Sequence, residues 1–238
     1  MKKLLTTLLS SSMLSILALS AARMPVVFAN KIDSNVNSVK SPESKNLRIL
    51  ALGDSLSAGY RIDQGLSFPM QLEKLLVQEG HLVTIVNAGV SGDTAKQGLQ
   101  RMDWVIRRSG PFDAILLELG ANDGLRQNSV VAMKDSLSKI IEKSQGLGMK
   151  VFLLGIKLPT NFDKKYRLEF EATFPALAKK FQIPLYPFVL EGVAQKEEYN
   201  LSDLLHPNKE GHAIIAEKLK NWLLKQKSFQ QLLSEASR

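Results

Sequence analysis

The sequence has no cysteine. That excludes disulfides, thiolate zinc sites and a cysteine nucleophile. It also excludes the lipid-bearing cysteine of a bacterial lipoprotein. It does not argue against export, because a chain of this length can bury a sizeable core without cross-links. Neither G-x-G-x-x-G nor the P-loop pattern occurs, so the common backbone cradles for dinucleotides and phosphates are missing. Past the N-terminal segment no apolar run is long enough to cross a bilayer. Histidine is scarce: an imidazole base must be His81, His206 or His212.

At the N-terminus, Lys2 and Lys3 precede a mostly apolar run from Leu4 to Ala22. Val27-Phe28-Ala29 then offers small residues where a signal peptidase reads the chain. The expectation is a signal peptide over residues 1–29, with cleavage after Ala22 as the alternative. The mature protein is then secreted across the inner membrane, to the periplasm or beyond. Arg23 and Pro25 cut the apolar run short, which argues against a retained anchor. The formal charge of +8 at pH 7 falls to about +5 without Lys2, Lys3 and Arg23. The surplus is scattered rather than clustered. It suits weak affinity for anionic surfaces such as transient contact with a lipid surface, and no nucleic-acid partner is expected.

Residues 30–45 are polar and without periodicity, as in a flexible leader. From residue 46 apolar runs alternate with amphipathic segments. Strands are expected at Leu47–Leu52, Leu82–Asn87, Ala114–Leu119, Lys150–Gly155 and Leu185–Tyr186. Helices are expected at Pro69–Glu79, Ala95–Arg108, Val130–Gln145, Lys164–Phe181 and Lys209–Leu224. Pro175 should kink or divide the fourth helix. The domain spans 46–225, with residues 226–238 as a C-terminal tail. Strand and helix in alternation point to an α/β fold with a parallel sheet covered on both faces. Nearly continuous apolar strands agree with burial on both sides.

In such a sheet, ligands bind beyond the carboxyl ends of the strands. The segments there are dense in Gly, Ser, Asn and Asp. Gly53-Asp54-Ser55-Leu56-Ser57 follows the first strand, Ser91-Gly92-Asp93-Thr94 the second and Gly120-Ala121-Asn122-Asp123 the third. Asp203-Leu204-Leu205-His206-Pro207 lies near the end. Taken singly, each has a bland reading as a turn or a helix cap. Together they supply the parts of nucleophilic catalysis. Ser55 is a nucleophile that needs a base. His206 precedes a proline and so sits on a loop, with Pro207 suited to a first helical position. His81 reads as a surface residue, and His212 as helix surface or core. Asp203, three residues before His206, can reach the far ring nitrogen and fix the tautomer, or can serve as a turn aspartate. The N–H groups of Ser55 and Gly92 and the amide of Asn122 can converge on an oxyanion. Asp54, Asp93 and Asp123 are expected to brace these loops rather than react.

In this order the residues resemble the SGNH (GDSL-type) hydrolases, whose four blocks carry Ser, Gly, Asn and His. Gly53 to Arg61, Glu118 to Arg126 and Ile156 to Pro159 are similar to the bacterial periplasmic acyl-CoA thioesterase I, lysophospholipase and arylesterase branch. The resemblance implies a three-layer α/β/α sandwich with a five-stranded parallel sheet in flavodoxin-like order. It implies catalytic Ser55, Asp203 and His206, and an oxyanion hole of Ser55, Gly92 and Asn122. It implies hydrolysis of small-molecule acyl esters and thioesters, often long-chain, without metal or cofactor; a monomer is expected. The segment Arg126–Ser129 departs from that branch, and loops of this kind shape the acyl pocket. A carbohydrate O-acetylesterase on the same fold is the alternative, and a non-catalytic flavodoxin-like binding module a distant one. Ser55 lacks the G-x-S-x-G elbow of the α/β-hydrolase fold.

Overall fold

Five strands form one all-parallel sheet: β1 (Leu47–Gly53), β2 (Val83–Gly89), β3 (Ala114–Glu118), β4 (Lys150–Leu154) and β5 (Leu185–Tyr186). Their order is β2-β1-β3-β4-β5, the flavodoxin-like arrangement. The computed structural model describes residues 45–238 except residue 64. The expected signal segment and the leader up to residue 44 lie outside the described residues.

The central strands are apolar because both of their faces are covered. β3 is buried at every position, and β1 at all but Arg48. Among the described residues eight α-helices alternate with or follow the strands: α1 (Ser55–Ala58), α2 (Phe68–Gln78), α3 (Ala95–Ser109), α4 (Ala121–Leu125), α5 (Val130–Gly146), α6 (Lys164–Phe181), α7 (Lys209–Leu223) and α8 (Lys227–Ala236). α2 packs on α7 and α8 touches β1, while α3, α5 and α6 pack in succession on the other side. The result is three layers. β1 has β2 on one side and β3 on the other, so the chain reverses its progress across the sheet at β1. This switch opens a crevice beyond the carboxyl ends of β1 and β3, where Ser55 and Asn122 lie.

The expected long elements stand within two residues of their observed bounds. α1 and α4 escape a periodicity argument because neither completes two turns. α6 is not divided at Pro175 but runs through it. Pro175 is solvent-exposed, while Phe170, Phe174 and Leu177 anchor the flanking turns in the core. The missing N–H therefore costs one bond on the wet side of a pinned helix. Pro207 is not the first residue of α7. The helix starts at Lys209, capped by Asn208, whose side chain accepts from the Gly211 N–H at 3.0 Å. The tail from residue 226 forms α8, which buries Phe229 and Leu232. Phe229 meets Phe152 of β4 edge-on with centroids 5.7 Å apart.

Candidate active site

Ser55 begins α1, the single turn that follows β1. The Asp54 carboxylate caps that turn by accepting from the Leu56 N–H at 3.0 Å. The cap fixes where the chain turns and so aims the Ser55 hydroxyl at the crevice. His206 arrives on the loop before α7, and its Nε2 lies 3.0 Å from Ser55 Oγ. Its Nδ1 lies 2.8 Å from Asp203 Oδ2. The other oxygen of Asp203 accepts from the Leu205 N–H at 3.0 Å and the His206 N–H at 2.9 Å. These bonds hold Leu204 at φ +56°, a left-handed conformation that costs a side-chain residue about 1–2 kcal/mol. Burial works to raise the Asp203 pKa. The bonds from the His206 backbone and ring and from Leu205 outweigh it and hold the carboxyl below its ordinary value. The carboxylate accepts a hydrogen bond from Nδ1–H and so keeps the proton on that nitrogen, which leaves the Nε2 lone pair facing Ser55.

Three candidate oxyanion donors sit on neighbouring loops at this end of the sheet. The Ser55 N–H starts a helix and the Gly92 N–H sits in a turn; neither donates to an acceptor among the described residues. Gly92 has φ +88°, where a side chain would be strained. The Asn122 amide donates to Asp54 Oδ2 at 3.3 Å and to the Asp93 carbonyl at 3.1 Å. The contact with Asp54 is long, so the amide can exchange it for a stronger acceptor. Arg126 spans the gap, donating to the Gly92 carbonyl at 3.0 Å and to Asn122 Oδ1 at 3.3 Å.

The three aspartates beside these positions act through hydrogen bonds to the loops. Asp93 pairs with Arg101 at 2.5 Å, and Arg101 also donates to the Gly53 carbonyl at 2.9 Å. Asp123 accepts from the Ala95 N–H at 2.8 Å, which ties α4 to the start of α3. Asp54 lies against a second buried acid. Glu118 ends β3 with no exposed surface, and its Oε2 accepts from the Asp54 N–H at 3.3 Å. Burial pushes the Asp54 carboxyl up to about 6, against the bonds from Leu56 and Asn122. Burial, reinforced by the charge of Asp54, pushes Glu118 well above its ordinary value.

Beside Ser55 and His206 opens a cavity of about 400 Å³. Leu125, Ile156, Leu158, Phe188 and Leu190 give it a mainly apolar wall, with Arg167 and Glu171 of α6 also facing it. Tyr60 flanks His206 with ring centroids 4.5 Å apart. Among the described residues no three His, Asp or Glu side chains gather as a metal site requires.

The structure brings Ser55, Asp203, His206, Gly92 and Asn122 into one crevice. His81 lies before β2, away from it. His212 is buried, and its Nδ1 accepts from the Phe68 N–H at 3.1 Å, so it belongs to the α2–α7 interface. Sequence reasoning missed Arg101, Arg126, Arg167 and Glu118. Only Glu118 left a signal, as the single charge closing an otherwise apolar strand.

Comparison with known proteins bears on this site. The profile of the GDSL-like Lipase/Acylhydrolase family matches residues 51–214. The chain is 40% identical over 178 residues to a Vibrio mimicus protein named arylesterase, covering 75% of this chain and 88% of that one. It is 36% identical over 178 residues to the Escherichia coli K12 protein named thioesterase 1/protease 1/lysophospholipase L1, covering 75% and 82%. A solved structure titled TesA superposes with a TM-score of 0.71 at 33% identity, over 78% of this chain and 99% of that one.

Proposed function

Because the chain belongs to the GDSL-like lipase/acylhydrolase family, we propose that it hydrolyses acyl esters and thioesters through an acyl-enzyme on Ser55. The observation that carries this reading is the contact of His206 Nε2 with Ser55 Oγ at 3.0 Å, backed by Asp203 at 2.8 Å from Nδ1. His206 takes the Ser55 proton as Oγ bonds to the substrate carbonyl carbon. The oxygen that becomes negative is met by the free N–H groups of Ser55 and Gly92 and by the Asn122 amide. The imidazolium, stabilised by Asp203, gives its proton to the departing alcohol or thiol. Water then gives its proton to His206 and attacks the acyl carbon. Collapse of that intermediate returns the proton to Ser55 and frees the acid.

Ester and thioester substrates are supported by the names of the relatives. An acyl group larger than acetyl is supported by the cavity of about 400 Å³ and its apolar wall, which counts against the carbohydrate O-acetylesterase alternative. Action as a monomer is supported by one chain supplying the nucleophile, base, acid and donors. Transient contact with a lipid surface is supported by Leu125, Leu204 and Leu205, exposed at the cavity rim beside Lys157. Export, read from residues 1–29, belongs to the same proposal.

A fluorophosphonate probe tests the nucleophile. The wild type is labelled and Ser55→Ala is not; undiminished labelling of that variant removes Ser55 from the role. Nitrophenyl esters of rising chain length test the pocket, with activity expected to persist beyond acetate. Light scattering in solution tests the monomer, and sedimentation with phosphatidylglycerol vesicles tests the lipid contact. N-terminal sequencing of the exported protein tests cleavage after Ala29.

A further inference from the structure

The wall of the cavity beside Ser55 carries a cation that no anion answers. Arg167 stands in the second turn of α6 and lines the cavity. Its Nε is buried without a hydrogen-bond partner. Its guanidinium joins none of the side-chain hydrogen bonds or ion pairs among the described residues. Of the other described arginines, Arg48 donates to the Ser109 carbonyl at 2.5 Å, Arg101 to Asp93 and Arg126 to the Gly92 carbonyl, while Arg61, Arg107, Arg108 and Arg238 are exposed to solvent. Glu171, one turn along α6, lines the same cavity but does not pair with Arg167 within 4.0 Å, and Lys157 offsets its charge. The lining therefore holds one unmatched positive charge in a mainly apolar surround. An arginine that faces the cavity without a protein acceptor is matched by a ligand that supplies a charged one.

Resting on the hydrolase reading above, we propose that Arg167 receives a carboxylate carried on the acyl arm of the substrate, so that the site favours esters of acids bearing a second acidic group. The acyl arm stays bonded to Ser55 through both half-reactions, whereas the alcohol must depart. A partly enclosed cavity beside the nucleophile therefore suits the acyl arm. The planar guanidinium matches a carboxylate in bidentate fashion, and the apolar wall between it and Ser55 accommodates the methylenes that separate the two acyl ends.

The experiment compares matched nitrophenyl esters. One set holds the half-esters of succinate, adipate, suberate and sebacate. The other holds butyrate, hexanoate, octanoate and decanoate. The ratio of kcat/KM for charged over neutral ester of equal length is expected to peak at one length. At that length Arg167→Gln should lower the ratio by about tenfold or more, with Arg167→Lys between the two. A ratio that does not respond to Arg167→Gln at any length overturns the proposal. So does a response confined to esters whose anionic group sits on the leaving alcohol, tested with lysophosphatidic acid against monoacylglycerol. Absence of turnover of every ester would count against the hydrolase reading instead. Calorimetric binding of the suberate half-ester to Ser55→Ala, with and without Arg167→Gln, then decides the role of Arg167: loss of affinity in the double variant supports it and equal affinity overturns it.

Discussion

The Ser57 hydroxyl donates to Glu118 Oε2 over 2.8 Å, directly behind the turn that presents Ser55. Glu118 Oε1 has no partner, and Asp54 shares the same buried space. Both carboxyls titrate higher in the fold than in the unfolded chain, so the fold binds more protons than the unfolded state above their ordinary values of 3.8 and 4.5. Their contribution to stability is complete below those values and is lost as pH rises through about 6 for Asp54 and further for Glu118. For Asp54 the shift corresponds to about 3 kcal/mol. Glu118→Gln keeps an acceptor for Ser57 and removes one buried acid. It is expected to gain stability relative to wild type at about pH 8 and to lose that advantage near about pH 4. Urea unfolding at both pH values measures this, and an equal difference at both denies the titration.

Asp203 has two duties that one substitution separates. Asparagine in its place still offers an oxygen to the Leu205 and His206 N–H groups, which hold the loop at 3.0 and 2.9 Å. It cannot fix the Nδ1–H tautomer as an anion does or stabilise the imidazolium. Asp203→Asn is expected to lower kcat on the order of a thousandfold while its unfolding temperature stays near that of wild type. A matching loss of unfolding temperature would assign Asp203 to the loop alone.

The sheet and the crevice were legible in the sequence for one reason. β1 and β3 are buried on both faces, so they read as apolar runs, and polar glycine-bearing loops stand out against them. The triad loop was legible because the acid and base share it, and because Pro207 keeps His206 out of a helix. What stayed hidden depends on distant partners. Arg101 and Arg167 lie on helices and Arg126 just past the end of one, with no local feature to separate these cations from solvated lysines. Their roles depend on which loop or cavity the topology sets opposite. α8 did carry a signal, Phe229 with Leu232 and Leu233 at helical spacing, but its burial depends on Phe152 in β4. His212 was ambiguous because the face of α7 that meets α2 is set by packing, not by its own sequence.

That packing gives His212 a titration of the opposite sign. Burial, with the neighbouring His206 adding to it, lowers its pKa from 6.5 to about 4. The fold holds the ring neutral as an acceptor for the Phe68 N–H. Below 6.5 the unfolded chain takes up a proton that the folded one refuses, so stability falls as the pH drops towards about 4. The loss reaches about 3 kcal/mol. His212→Gln retains an acceptor and removes the titration. It is expected to be less stable than wild type at neutral pH by about 1–2 kcal/mol, from lost packing. The gap should narrow or reverse by about pH 4. Unfolding free energies across this range read it out, and parallel curves for the two proteins would show that His212 takes up its proton equally in both states.

Arg126 sits outside the core and touches no expected reacting atom, yet it bonds to the carbonyl of Gly92 and the side-chain oxygen of Asn122. Those residues carry two of the three donors proposed to meet the oxyanion. Holding Asn122 by its oxygen fixes the plane of its amide, whose N–H groups rest on Asp54 and Asp93, and holding Gly92 fixes the turn that presents its free N–H. Loosening either by a fraction of an ångström weakens bonds that count only in the transition state. Arg126→Ala is therefore expected to lower kcat by roughly tenfold with little change in KM. Because the side chain is exposed, the unfolding temperature should hardly move. Arg126→Lys can satisfy one carbonyl but not both in the planar geometry of a guanidinium, so its rate should fall between. Steady-state kinetics on a fast nitrophenyl ester resolve the pattern. A rise in KM at constant kcat would place Arg126 in ground-state binding of the substrate instead of in holding the donors.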